Sequence, residues 1–274
     1  MADSSVHSDV TAVVPCFNYG AWVREAVDSL LAQEGGPPRV VVVDDGSTDP
    51  ATVAVLDNLP VPVIRQANAG LSAARNTGFR STDTPLLIAL DADDRLPSGA
   101  LSALKRPLDA DPAVGFSYGV TRFFGDWEGD MAFPPLDAYR MLFRHVIGPV
   151  GLTRRALWED VGGYDESPVF RAGYEDWDFW LGALERGWQG AKVEEVTFLY
   201  RRHGETMVFG ARRDYRRLYA TLRAKHAALY ARRAELARAS DAGPVERALL
   251  RYFWGPRPVP ARVEQAIYRL VFRR

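Results

Sequence analysis

Arg39-Val-Val-Val-Val-Asp-Asp-Gly-Ser-Thr-Asp49 is an apolar run without alternation that stops abruptly in a polar turn. A strand with one wet face alternates apolar and polar residues. One that is apolar throughout is covered on both faces, the condition of a parallel sheet between layers of helices. Upstream, Val10-Thr-Ala-Val-Val14 is a second β-branched run, broken by Pro15-Cys-Phe-Asn-Tyr-Gly20. A helical pattern follows, with Val23, Ala26, Val27, Leu30 and Leu31 at three- and four-residue spacing, and Gly35-Gly-Pro-Pro38 ends it. Downstream the beat repeats: helix from Ala51 to Asn58, strand from Val61 to Arg65, helix from Leu71 to Phe79, strand from Pro85 to Leu90. Strands alternating with helices predict a doubly wound, Rossmann-like α/β sheet that is mostly parallel. Ligands of such sheets sit beyond the carboxyl ends of the strands, where Pro15 to Asn18, Asp44 to Asp49 and Asp91 to Asp94 all fall.

Beyond about Pro112 the beat loosens into a strand-like Val114 to Val120, an aromatic and glycine-rich stretch to Pro135, and a helix-like Leu136 to His145. A charged helix is predicted from Asp214 to Arg238, broken by Gly243-Pro244. The composition, 47% apolar and 25% charged over 274 residues, is that of a folded globular chain. Uninterrupted apolar runs such as Val40 to Val43 fall far short of the roughly 20 residues of a membrane-spanning helix. The polar N-terminus carries no apolar signal region, so a cytoplasmic protein is expected. A single cysteine, Cys16, excludes an internal disulfide and a cysteine-built metal centre. The near-zero net charge hides an asymmetry: residues 201–274 hold 18 Lys and Arg against 6 Asp and Glu, while 1–200 hold 16 against 29.

Asp91-Ala-Asp-Asp94 places three carboxylates within four residues at a strand end. They repel one another unless a cation or hydrogen-bond donors intervene. Hard divalent ions such as Mg²⁺ and Mn²⁺ take one or two such oxygens and complete their shell with water and phosphate. Alternation in an extended segment would put Asp91 and Asp93 on one side; a solvated helix-capping turn is the alternative. In Asp44-Asp-Gly-Ser-Thr-Asp49, Gly46 permits a tight turn, and a carboxylate fixed there can accept from the ring N–H of a base or from ribose hydroxyls. A plain turn with a helix cap fits the same residues.

Five segments together resemble glycosyltransferase family 2: Val13-Val-Pro-Cys-Phe-Asn18, Val43-Asp-Asp-Gly-Ser47, Asn68-Ala-Gly-Leu-Ser-Ala-Ala-Arg-Asn-Thr-Gly78, Leu90-Asp-Ala-Asp-Asp94 and Gly173-Tyr-Glu-Asp-Trp177. Their order and spacing match from about residue 10 to about 205. The resemblance implies a GT-A-type fold and an inverting transferase that moves a sugar from a nucleoside-diphosphate donor, in the first instance a UDP-sugar, to an acceptor hydroxyl. A divalent cation, Mn²⁺ or Mg²⁺, would hold the donor diphosphate. By the same resemblance, Pro15, Phe17 and Asn18 line the nucleoside pocket, Asp45 contacts the base with Asp44 beside it, Asp91 contacts the donor, and Asp93 ligates the metal with Asp91. Arg75 lies near base or phosphates, or serves a structural ion pair. The general base falls on the Glu175-Asp176 pair, Asp176 first and Glu175 next. His203 matches a loop histidine that touches metal or phosphate. Asp165 and Glu166 match the acceptor side or hold a turn.

The expected organisation is a disordered 1–9, a nucleotide-sugar-binding half over 10–110, an acceptor-binding and catalytic half over 111–210, and a basic helical extension over 211–274. The extension suits either an anionic membrane surface, with Val263 to Phe272 as an amphipathic helix at the inner face of the cytoplasmic membrane, or a return onto the acidic body. The acceptor would be a glycan, a lipid-linked sugar or a small molecule, as in envelope polysaccharide synthesis. No nucleic-acid module accompanies the arginines. An inactive sugar-nucleotide-binding scaffold and a nucleotidyltransferase are the competing readings.

Overall fold

A computed structural model describes residues 6–148, 150–203 and 214–255. Its centre is an eight-stranded sheet in the order β3-β2-β1-β4-β7-β5-β6, with β8 against β5. Strands β1 (Val10–Cys16), β2 (Arg39–Asp44), β3 (Val63–Arg65) and β4 (Leu86–Ala89) run parallel. The helices between them are α1 (Gly20–Leu31), α2 (Pro50–Asp57) and α3 (Leu71–Arg80). This is the doubly wound arrangement expected from the sequence. The apolar run of β2 has the expected cause: Val41 and Val43 enter one core layer and Val40 and Val42 the other, all buried. Gly78 on α3 lets that helix lie against β1, since an added Cβ would stand 2.4 Å from Val13 Cγ1.

The second half continues the same sheet. After α4 (Ala100–Ala110) come β5 (Val114–Gly125), β6 (Gly129–Met131), α5 (Ala138–Met141) and β7 (Leu152–Arg154). Then follow α6 (Arg155–Val161), α7 (Glu175–Glu185) and β8 (Gln189–Arg202). β7 is antiparallel to both β4 and β5, whereas β8 lies parallel to β5 from Val114↔Gln189 to Gly125↔Arg202. The helix expected over Leu136 to His145 is a single turn, so Leu142 to His145 are free to loop towards α7.

Two further expectations change. Residues 6–9, assigned to a disordered N-terminus, are tied to the body: Val6 N donates to Gly35 O at 2.8 Å although its side chain is exposed, and His7 is buried with Nε2 2.9 Å from Glu34 O. The single charged helix becomes α8 (Tyr215–Lys225), α9 (Ala227–Ala231) and α10 (Arg233–Ala239), and Gly243-Pro244 starts α11 (Pro244–Leu249) rather than only ending a helix. As far as Gly255 the extension returns onto the body. Tyr215, Leu218, Tyr219, Leu222, Leu229 and Trp254 are buried in the same core layer as Trp177 and Phe179 of α7. Arg216, Arg217 and Arg223 remain on the outside. The segment Val263 to Phe272 lies outside the described residues. Among the described residues no helix is long and apolar enough to cross a membrane.

Candidate active site

Three strand ends and two helices build the site. At the end of β1, Pro15 is buried in register with Val43, so of the two ring-bearing pocket candidates, Pro15 and Phe17, only Phe17 presents an open ring, 43% exposed. Asn18, at φ +58°, fastens the β1 and β2 ends together: its Oδ1 accepts from Thr48 N at 2.8 Å and Asp49 N at 2.9 Å, and its own N–H donates to Ser47 Oγ at 3.0 Å. Asp44 closes the turn by accepting from Ser47 N at 2.8 Å. Gly46, at φ +78°, completes it, because a Cβ there would meet Asn68 N at 2.8 Å. The Asp45 carboxylate takes Gln66 Nε2 and Ala69 N on Oδ1 and Gly70 N on Oδ2, at 2.7 to 2.9 Å. It therefore shapes the Gln66–Gly70 loop, with roughly one acceptor position left on Oδ2.

The acidic turn sorts its carboxylates by partner. Asp94 N donates to Asp91 O at 3.0 Å, so Asp91–Asp94 is a turn and the alternation expected of an extended segment does not apply. Asp91 Oδ1 accepts from Arg75 Nη2 at 2.8 Å, Asp93 Oδ2 lies 2.8 Å from His203 Nε2, and buried Asp94 accepts from Arg201 N at 2.7 Å. Burial and neighbouring Asp91 push the Asp93 carboxyl up, against the pull of His203. Among the described residues no three carboxylate, imidazole or thiolate groups converge as a metal cluster. The expected trio of Asp91, Asp93 and His203 is thus not assembled: Asp91 is held by Arg75, and Asp93 and His203 stand as a pair. That pair suits a Mg²⁺- or Mn²⁺-type ion, which takes few protein ligands and fills the rest with water and phosphate. His203 also lies against the Trp22 ring, with centroids 4.3 Å apart.

Arg75 on α3 joins the acidic turn to α7. Its Nη1 donates to Glu175 Oε1 at 2.8 Å, and its guanidinium lies over the Tyr164 ring at 5.2 Å. Burial works against its charge, and Asp91 and Glu175 more than offset this, so its pKa is raised. Glu175 is buried, and that burial pushes its carboxyl up to about 7 against the opposing pull of Arg75. Asp176 is more open, its side chain 18% exposed. Its Oδ1 accepts from Trp177 N at 2.7 Å, and its Oδ2 stands 3.5 Å from His145 Nδ1. The acids at the start of α7 also face the positive end of that helix.

Asp165 and Glu166 both have structural partners. Glu166 accepts from Asn76 Nδ2 at 2.8 Å and pairs with Arg80, while Asp165 accepts from Ser167 N and pairs with Lys225 at 2.6 Å. Lys225 and buried His226 also meet Asp178 of α7, at 2.7 and 3.0 Å, and His226 Nδ1 lies 3.0 Å from Glu185. Cys16 is buried, and that burial pushes its thiol up to about 11. Sequence reasoning missed His145 and Trp22. Neither stands in a motif, though with only four histidines in the chain each could be asked what it faces.

A mostly parallel sheet, with an acidic turn beyond β4 joined through Arg75 to the acids at the start of α7, defines the class: the GT-A-type glycosyltransferase fold. The chain belongs to glycosyltransferase family 2, whose sequence pattern, described as Glycosyl transferase family 2, matches residues 11–157. It is 30% identical over 191 residues to glycosyltransferase GlyA of Streptococcus pneumoniae serotype 4, an alignment covering 67% of this chain and 24% of that protein. The chain therefore spans about a quarter of that relative's length. Among solved structures it resembles S. aureus TarS 1-349 in complex with UDP, with TM-score 0.61 and 18% identity over 88% of this chain and 74% of that one. It also resembles the mannosyltransferase PcManGT from Pyrobaculum calidifontis in complex with GDP-Man and Mn²⁺, with TM-score 0.53 and 19% identity over 95% and 80%.

Proposed function

We propose that the protein is an inverting glycosyltransferase that moves a sugar from a nucleoside-diphosphate donor, first a UDP-sugar, to a hydroxyl of a glycan, lipid-linked or small-molecule acceptor. The observation that carries this reading is the division of labour between the paired acids of α7. Glu175 is buried on Arg75, whereas Asp176 keeps an exposed edge and acceptor positions on Oδ2. A base has to reach the proton it takes, so Asp176 takes the role and Glu175 anchors the bridge. Asp176 receives the hydroxyl proton as the acceptor oxygen bonds to the anomeric carbon. On the opposite face the bond to the diphosphate breaks, and its electron pair leaves with the nucleotide. One displacement inverts the centre and needs no enzymic nucleophile. Asp93 and His203 would hold a divalent cation, whose positive charge would offset that of the leaving diphosphate. Phe17 offers its ring to the base, and Asp45 its remaining acceptor position.

The test is Asp176→Asn. Transfer is expected to fall by at least about 100-fold, while the rise in Tm caused by UDP with Mn²⁺ stays. Turnover near wild type would remove the base assignment. An inactive scaffold would show nucleotide binding and no sugar transfer in the unaltered protein.

A further inference from the structure

Resting on the reading of Asp176 as the base, we infer that His145 is a positioning residue for that carboxylate: its Nδ1–H holds Asp176 Oδ2 while Trp177 N holds Oδ1. The distances are 3.5 and 2.7 Å. His145 Nε2 is buried and has no hydrogen-bond partner among the described residues. Of the two tautomers, the one protonated on Nδ1 fits these neighbours. A proton on Nε2 would be stranded without an acceptor and would turn the Nδ1 lone pair towards an anion, whereas a proton on Nδ1 meets the carboxylate. Burial also depresses the imidazole pKa, more than Asp176 raises it, so the ring stays neutral and leaves the transferred proton on the carboxylate.

The surroundings hold the ring in place. His145 lies parallel to Trp177, with an interplanar angle of 16°. The chain just before it hangs from three donors: Trp177 Nε1 on Met141 O at 2.8 Å, Tyr219 Oη on Leu142 O at 2.9 Å and Tyr230 Oη on Leu142 O at 2.7 Å. The last two come from the C-terminal extension, which through Lys225 and His226 also grips Asp178 on α7. One set of helices therefore braces both partners of the pair. A 3.5 Å approach between two braced groups closes to hydrogen-bond length with a small shift, as catalytic contacts do when substrate arrives.

The experiment uses the full chain and measures UDP release from a UDP-sugar, with water as acceptor, in Mn²⁺. His145→Phe keeps a flat ring over Trp177 and removes the donor. His145→Asn returns an N–H near the Nδ1 position. The Phe variant is expected to lose about 10- to 100-fold in kcat with the donor KM within about twofold, and the Asn variant to recover most of the loss. Wild-type kcat in the Phe variant overturns the inference, and so does an Asn variant no better than Phe when both keep the UDP-dependent rise in Tm. If the Phe variant does not fold, the Asn variant decides: kcat near wild type supports the inference, and a loss beyond about tenfold overturns it. Asp176→Asn separates the two levels. If it retains turnover, the base assignment fails; if it is inactive while His145→Phe is normal, only the positioning role fails.

Discussion

Replacing Arg75 by Met tests the bridge between the acidic turn and α7. Methionine preserves most of the stem that packs near Tyr164 and removes both hydrogen bonds, to Asp91 and to Glu175. The two carboxylates lose unequally. Asp91 is 35% exposed at its side chain and water replaces the arginine, whereas Glu175 is 8% exposed and is left as an uncompensated buried acid. Breaking a buried pair in this way costs about 3–5 kcal/mol while the remaining group stays charged. Glu175 has an escape, because its folded pKa already lies near 7, above the ordinary carboxyl value, and loss of Arg75 raises it further. A group whose folded pKa is raised binds more protons in the native state, so stability falls as pH rises from the unfolded value through the folded one. The variant is therefore closest to wild type at pH 5, where the acid is neutral in both, and furthest from it at pH 8. Urea unfolding at the two pH values reads this directly: because Glu175 escapes by protonation, the extra loss between pH 5 and pH 8 is about 1–1.5 kcal/mol, the linkage energy of the one pH unit above its wild-type value of about 7. Adding Glu175→Gln is expected to remove most of that extra loss, giving a coupling energy above about 1 kcal/mol. A deficit equal at pH 5 and pH 8, or one untouched by the second substitution, would refute the argument that an unpaired buried acid is the cause.

Two other predictions concern the Asp93–His203 pair and the extension. Asp93→Ala is expected to abolish the Mn²⁺-dependent part of the UDP-induced rise in Tm and leave any metal-independent part, as measured by thermal shift with and without chelator; an unchanged Mn²⁺ response would remove Asp93 from the site. Leu222→Ala deletes a fully buried side chain of α8 and is expected to cost about 2–5 kcal/mol in urea unfolding; a loss under 1 kcal/mol would mean that the extension is not part of the core.

The central strands were legible for two reasons: burial on both faces leaves a plain signature in β2, and β1 and β4 fall as short apolar or β-branched runs in the alternation of strands with helices. β7 has three residues, too few for any period, and β8 mixes Glu194-Glu195 and Arg201-Arg202 into its run, the last pair because Arg201 reaches the acidic turn at Asp93 and Asp94. The extension read as one helix because its Ala, Leu and Arg favour helix throughout. It breaks at His226, whose imidazole is drawn inwards to Asp178 and Glu185. Within the site, the motifs gave residue types and order but not partners. Three adjacent carboxylates looked like one metal cluster, and only tertiary structure could bring Arg75, His203 and Arg201 to one each. His145 was invisible for the same reason, since its meaning lies in what α7 carries past it.

The pairing of β5 with β8 has a consequence for the order in which the molecule forms. Val114 and Gln189 meet across the whole of β6, α5, β7, α6 and α7, so this contact closes a long loop, whereas β1 and β2 meet after a short one. Long-range pairing comes late in folding because loop entropy has to be lost before contacts compensate for it. The carboxylates of α7 lie inside that loop. A refolding chain is accordingly expected to pair its β1 and β2 ends before α7 is locked, and pulse-labelled hydrogen exchange would find the amides of β1 and β2 protected earlier than those of β8.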